Sequence, residues 1–332
     1  MKKRQIINRP DDVVSEELEG MEMCFPDLIE YAPRFGLVRR RAPARDKVGI
    51  ISGGGSGHEP LHAGFVGPGM LDVAVAGAVF ASPTALQVQE GTLAADSGRG
   101  VVQIVKNYTG DVLNFTIAGE LAGDSSVQTE IVLVDDDLAT DTDDGGPGRR
   151  GTAAVVAVEK IAGAMAEQGG SLHEVAEVGR RVARTSRTMS LALAAGTHPG
   201  QHEAAFDLAG DEVELGVGIH GERGTGRIPF AGADELTEQL VTPLLDDLGL
   251  GRGASVLAIV NGLGSTYRLE LAVAARGMHR LLAARGIAVA RTLVGSYVTS
   301  LDMHGFSITL TPADPDLLPL WDAPVRTPAL TW

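Results

Sequence analysis

The sequence predicts an α/β protein of two domains, the N-terminal one a mostly parallel sheet with helices on both faces, the C-terminal one smaller with a mixed sheet. Three observations predict this. The 332 residues exceed what one core usually organises, about 100 to 200 residues per domain. Short β-branched runs alternate with stretches of helical spacing. The apolar runs also halt at glycine clusters, as buried strands do where they turn into tight loops.

Taken in order, KVGIISGGGSGHEP from Lys47 reads as a strand ending in a loop, and residues 100–107 and 130–137 read as two more buried strands. Residues 84–95 and 113–121 between them have helical spacing. Ligands of such sheets collect at the carboxyl ends of strands, where segments 53–58 and 107–111 fall. Residues 135–148 carry six aspartates. They lack the glycine and terminal glutamate of an EF-hand, so a solvated loop is expected rather than a calcium site. Helices over 153–168 and from 171 to about 188 follow, and 189–202 reads as small-residue-rich and irregular. A boundary near Arg184 gives domains 1–184 and 185–332. The second opens with EVELGVGIHGERGTGR, a strand running into a glycine loop. A helix over 233–248, the strand in ASVLAIVNGLGSTY, a helix over 269–285 and two strands in IAVARTLVGSYVTSLDMHGFSITLTP complete it. The proline-bearing tail after Pro312 is expected to lie extended over the body.

Composition narrows the function. With 44% hydrophobic and 21% charged residues the chain has the balance of a soluble globular protein. No apolar run approaches the about 20 residues that span a bilayer, and MKKRQIINRPDD lacks the apolar stretch of a signal peptide, so no membrane contact and a cytoplasmic location are expected. Cys24 is the sole cysteine, which excludes an internal disulfide and a cysteine zinc cage. A net charge of −15 argues against nucleic acid and towards small ligands or protein partners. Only five lysines are present, and Lys106 is the one beside a glycine-containing loop.

The segment GGGSGHEP from Gly53 lets backbone N–H groups approach a ligand closely. It lacks the Gly-Lys-Ser/Thr ending of a Walker A loop, so a P-loop nucleotide site is not expected. His58 to His62 spells HEPLH and matches the HExxH zinc pattern in form. That chemistry needs both histidines inside one helix, whereas Gly57 precedes the pair and Pro60 separates it, so no metal is expected. GVGIHG at 216–221 matches GxGxxG in form but is followed by loop rather than helix. His220, flanked by glycines at a strand end, is open to a small ligand, and a neutral imidazole can attack a carbonyl.

Six segments together carry a resemblance: GGGSGHEPLHAGFVGPGMLDVAVAGAVFASPT from Gly53, KNYTGDVLNF from Lys106, GRRGTAA from Gly148, GIHGERG from Gly218, NGLGST from Asn261 and SLDMHGFSITL from Ser300. In content and order the chain resembles the sugar-binding K subunits of dihydroxyacetone kinases over nearly its whole length. The resemblance implies two α/β domains in a homodimer. It also implies a short keto-sugar as substrate, held on His220 as a covalent hemiaminal. Asp111 would be the general base at the reacting hydroxyl and His58 its hydrogen-bond partner, with Gly55, Ser82 and Lys106 on the other sugar oxygens. The nucleotide, ATP or ADP with magnesium, would belong to a separate L subunit, and this chain would bind no cofactor of its own. Pro68, Ala78 and Glu159 depart from the common lysine, glutamate and histidine, and none of them receives a chemical role. Segment 195–206 also differs, which leaves erythrulose or hydroxyacetone open beside dihydroxyacetone. A ketose-binding coactivator is the alternative from another class; retention of Asp111 beside His220 favours catalysis, since binding alone needs only the histidine. A zinc hydrolase is a distant third.

Overall fold

The computed structural model describes residues 4–43, 45–141 and 148–332. The chain divides into two compact units, each built on a six-stranded sheet. One comprises Ile6–Val134, Val155–Ala183 and Asp316–Trp332. Its strands are β1 (Ile29–Ala32), β2 (Leu37–Arg40), β3 (Gly49–Ser56), β4 (Val73–Val79), β5 (Val101–Lys106) and β6 (Thr129–Val134), in the order β1-β2-β4-β3-β5-β6. Four of them, β4, β3, β5 and β6, run parallel, and the β1–β2 hairpin adds antiparallel to β4.

Side-chain alternation along these strands decides what each face holds. Ile51, Val75, Val101 and Val105 meet Val88 of α2 (Ala85–Ala95) and Phe115 and Ala118 of α3 (Thr109–Asp124). Ser52, Lys106 and Val132 alternate with that set and so face the other way, towards α4 (Ala154–Glu167) and α5 (Leu172–Thr185). A β-carbon on Gly179 of α5 would stand 3.2 Å from a Val132 methyl, so this helix lies close on β6. Helix α1 (Val13–Cys24) precedes the sheet.

The other unit comprises Met1–Gln5, Asp135–Ala154 and Arg184–Pro315. Its strands are β7 (Arg187–Ala194), β8 (Glu212–Leu215), β9 (Gly226–Pro229), β10 (Ser255–Gly262), β11 (Ala288–Gly295) and β12 (His304–Pro312), in the order β11-β10-β12-β7-β8-β9. Only β10 and β11 are parallel, so the sheet is mixed as expected. Its core sets Leu240, Val241 and Leu244 of α6 (Ala233–Asp247) and Met278 and Leu282 of α7 (Arg268–Ala284) against Val256, Val260, Ile308 and Leu310.

Several local expectations are corrected. Of the stretch 189–202 read as irregular, residues 195–202 have no helix or strand, while 189–194 belong to β7, a strand paired on both sides. Its Ser and Ala residues have weak strand preference, and burial between β12 and β8 overrides that. The aspartate run read as solvated is partly interior: Asp136 and Asp137 are 0% and 1% exposed. Asp136 accepts from the N–H groups of Thr152 (2.6 Å) and Ala154 (3.0 Å) and from the hydroxyl of Thr152 (2.7 Å), so it ties its own loop to the start of α4. Asp143 and Asp144 lie outside the described residues. The tail forms a short helix, α8 (Leu318–Asp322), and then runs along 64–68, with N–H groups of Ala329 and Arg326 bonded to the carbonyls of Gly64 and Pro68 at 2.9 Å each. Among the described residues no helix is long and apolar enough to cross a membrane.

Candidate active site

Strand β3 enters the core fully buried and ends in the turn that carries His58 to His62. Strand β5, its parallel neighbour, ends at Lys106, and α3 begins at Thr109 with Asp111 in its first turn. A helix N-terminus favours a carboxylate there. Because Lys106 follows Val105 it points to the α4 face, as does Gly54 two residues after Ser52. The result is one convergence point. A β-carbon on Gly54 would lie 2.6 Å from Lys106 Nζ, 3.4 Å from Asp111 Oδ2 and 3.7 Å from His62 Nε2, so glycine lets these three polar groups close in on the strand.

Lys106 and Asp111 are 0% and 2% exposed. The Ser82 hydroxyl donates to Asp111, while Asp111 Oδ1 is buried with no hydrogen-bond partner among the described residues. Burial raises the Asp111 carboxyl above its usual range, opposed by the Lys106 charge and the Ser82 bond. Burial likewise lowers the Lys106 amine, with Asp111 and Glu159 opposing it. Behind Lys106, His62 Nε2 stands 2.8 Å from Nζ, and its Nδ1 stands 2.6 Å from Oε1 of Glu159, which α4 supplies. Burial, then the charges of Lys106 and His58, hold the His62 ring well below the normal histidine range. Burial pushes Glu159 up to about 8, against the charge of Lys106 and the nearby Ser52 hydroxyl.

The remaining expected residues fall as follows. His58 is buried and stacked on Phe80, ring centroids 5.1 Å apart. The β-carbon position of Gly55 points at the backbone of Ala81 (2.6 Å) and Phe80. His58 and His62 occupy turns rather than a helix, so the HEPLH pattern does not have zinc-protease geometry. His220 belongs to the other unit, in the loop after β8. Its backbone N–H donates to Glu222 Oε2 at 2.8 Å. Glu222 Oε1 accepts from Arg150 at 3.0 Å, and Arg150 also donates to the Gly216 carbonyl and to Asp137. A β-carbon on Gly218 would run into the Glu222 carboxylate and force that side chain off its place.

From the sequence, Glu159 stands out only as a departure with no chemical role, and His62 only as half of a failed zinc motif. A signal existed for both. Glu159 and Lys160 are adjacent charges in an otherwise apolar helix, AVVAVEKIAGAMA, where a burial cost demands partners. Lys160 spends its charge on the Leu320 carbonyl at 2.7 Å, and Glu159 faces the site.

The Dak1 domain profile matches residues 19–329. The chain belongs to the Dak1 family. It is 41% identical to the PEP-dependent dihydroxyacetone kinase, dihydroxyacetone-binding subunit DhaK, of Escherichia coli, over 99% of each chain. It is 44% identical to the PTS-dependent dihydroxyacetone kinase 1, dihydroxyacetone-binding subunit DhaK, of Listeria innocua, over 92% of this chain and 93% of the relative. Among solved structures, this Dak1 chain superposes on the dihydroxyacetone kinase operon co-activator Dha-DhaQ with a TM-score of 0.90 at 34% identity, covering 95% of this chain and 96% of that one. The dihydroxyacetone kinase of C. freundii also gives 0.90, at 33% identity, over all of this chain and 60% of that one.

Proposed function

We propose that this Dak1 chain is the ketose-binding subunit of a dihydroxyacetone-type kinase. It would hold dihydroxyacetone, or a related short ketose such as erythrulose, while an L-type partner brings ATP or ADP with magnesium. The observation that carries this reading is Asp111 Oδ1, a buried carboxylate oxygen lacking a donor beside the Lys106 amine, which lies close over Gly54. A buried acceptor of this kind is normally satisfied, and a ligand hydroxyl is the donor that satisfies it and then needs a base.

In the proposed sequence an imidazole nitrogen of His220 bonds to the carbonyl carbon. The carbonyl oxygen takes up the proton that the ring releases and becomes a hydroxyl, so selection is for ketones over polyols. Asp111 accepts the proton of the terminal hydroxyl as its oxygen attacks phosphorus. Its raised affinity for protons suits a general base. Lys106 and Ser82 hold sugar oxygens, Gly55 adds backbone contact, and His58 supports the hydroxyl end. The partner's magnesium–nucleotide would neutralise donor charge. A homodimer in the cytoplasm is part of the same proposal.

The test uses dihydroxyacetone labelled with carbon-13 at its carbonyl. The bound carbon should move from the ketone to the tetrahedral region of the spectrum, and His220→Ala should abolish the shift. A kinase assay with ATP and magnesium should be silent with this chain alone and active once a cognate L subunit is added. The Dha-DhaQ likeness favours a second reading, a ketose-binding coactivator; binding with silence beside every cognate L subunit would select it. Turnover by the chain alone would overturn the subunit assignment.

A further inference from the structure

His62 separates two buried groups of opposite chemistry, with Lys106 Nζ 2.8 Å from Nε2 and Glu159 Oε1 2.6 Å from Nδ1. The side chains of His62 and Glu159 are 3% and 0% exposed, and Lys106 is 0% exposed. A neutral imidazole has one N–H and one bare nitrogen. If the N–H is on Nδ1, it donates to a Glu159 carboxylate, and Nε2 accepts from a Lys106 ammonium. If it is on Nε2, the Glu159 acid donates to Nδ1, and the Lys106 amine accepts. Both arrangements contain the same protons. The first becomes the second when one proton passes from Nζ to Nε2 as another passes from Nδ1 to Oε1.

We propose that Glu159 and His62 form a buried proton wire that sets the charge of Lys106 without exchange with solvent. Glu159 is thus a positioning residue acting through His62. The inference rests on the ketose-kinase reading for its consequence, since Lys106 is the proposed sugar contact. Asp111 faces Lys106 from α3, Glu159 faces His62 from α4, His58 adds its charge from the same turn as His62, and the Ser52 hydroxyl of β3 lies near Glu159. Burial of Glu159 and Lys106 favours the neutral arrangement, and the Asp111 carboxylate favours the ammonium. When Asp111 takes up the hydroxyl proton, Lys106 loses that counter-charge. The wire then carries its proton to Glu159, and no isolated charge is left in a dry site.

The wire also resists loss of a proton. Removing one from the native set leaves Glu159 and Asp111 both negative beside a neutral amine, whereas in Glu159→Gln the same loss leaves only Asp111. Lys106 in Glu159→Gln should therefore deprotonate at lower pH. Dihydroxyacetone affinity, measured by calorimetry from about pH 6 to about pH 8, should be nearly flat for the native chain. For Glu159→Gln it should match at the acid end and fall roughly tenfold per pH unit beyond the Lys106 midpoint.

Two results overturn the proposal: a Glu159→Gln profile parallel to the native one, whatever the uniform loss, or a His62 ring that stays protonated on Nε2 in the ketose complex. Nitrogen-15 spectra of the imidazole read the second. The same spectra on ligand-free protein keep the wire testable if no ketose binds. There, a native His62 whose tautomer is indifferent to Glu159→Gln refutes the wire, while absent ketose binding alone refutes only the functional reading.

Discussion

Glu222 accepts the backbone N–H of His220 at 2.8 Å through one carboxylate oxygen and the guanidinium of Arg150 at 3.0 Å through the other. Arg150 is itself fixed by Asp137 at 2.7 Å and by the Gly216 carbonyl at 2.9 Å. The glycine loop that carries the proposed nucleophile is therefore clamped from below, although glycine gives it little stiffness of its own.

Glu222→Ala should loosen that loop while leaving the imidazole in place. A hydrogen bond to a charged group is worth about 1.5 to 3 kcal/mol and two are lost, but the Glu222 side chain is 34% exposed and solvent screens both, so a fall of about 3 kcal/mol in unfolding free energy is the upper bound. Ketose affinity should fall further than stability, and the carbon-13 signal of the tetrahedral adduct should weaken rather than vanish. Calorimetry and denaturant titration read the two losses separately; an unchanged adduct signal would mean that the clamp does not position His220.

Asp111→Asn keeps shape and removes proton-accepting power. Binding should survive, and phosphoryl transfer with a cognate L subunit should drop about 10²- to 10⁴-fold. Equal losses in binding and turnover would make Asp111 a sugar-positioning group only.

Gly54→Ala puts a methyl 2.6 Å from Lys106 Nζ. The amine is the end of a long side chain and can retreat, so the stability cost should be modest, about 1 to 3 kcal/mol as for other overpacked sites. Retreat breaks the His62 contact and displaces the amine proposed to hold the sugar, so ketose binding should fall sharply. Thermal melts beside calorimetry separate the two effects, and retained binding would move the ligand away from Gly54.

Glu17, which shares a small cavity with Gly54, Gly55 and His62, gives a pH prediction for stability. Burial, then the charge of Glu59, pushes its carboxyl from 4.5 up to about 7. A folded-state value above the unfolded one means that its favourable contribution is complete below the unfolded value and is lost as pH rises through about 7. Glu17→Gln should equal the native chain in stability at acid pH and exceed it above neutrality by up to about 3 kcal/mol, at 1.36 kcal/mol per pKa unit. Urea titrations at both pH values check this, and a constant difference would place the carboxyl in contact with water.

The sequence by itself determined the α/β class, the helices around 84–95, 153–168, 233–248 and 269–285, and the convergence of loops 53–58 and 107–111. These follow from local rules: periodicity, glycine punctuation and the tendency of parallel strands to present ligands at their carboxyl ends. Residues 187–194, with Ser190, Ala192 and Ala194 among them, become a strand because β12 and β8 supply hydrogen bonds on both sides. Glu159 lies 97 residues from its partner His62, in a helix whose pattern says only that it is buried. What turns that carboxylate into part of the site is side-chain alternation on β3 and β5, which sends Ser52, Gly54 and Lys106 to the face that α4 covers. Local spacing cannot encode which helix covers which face, since long-range packing sets it and the free energy of pairing buried charges then fixes the partners.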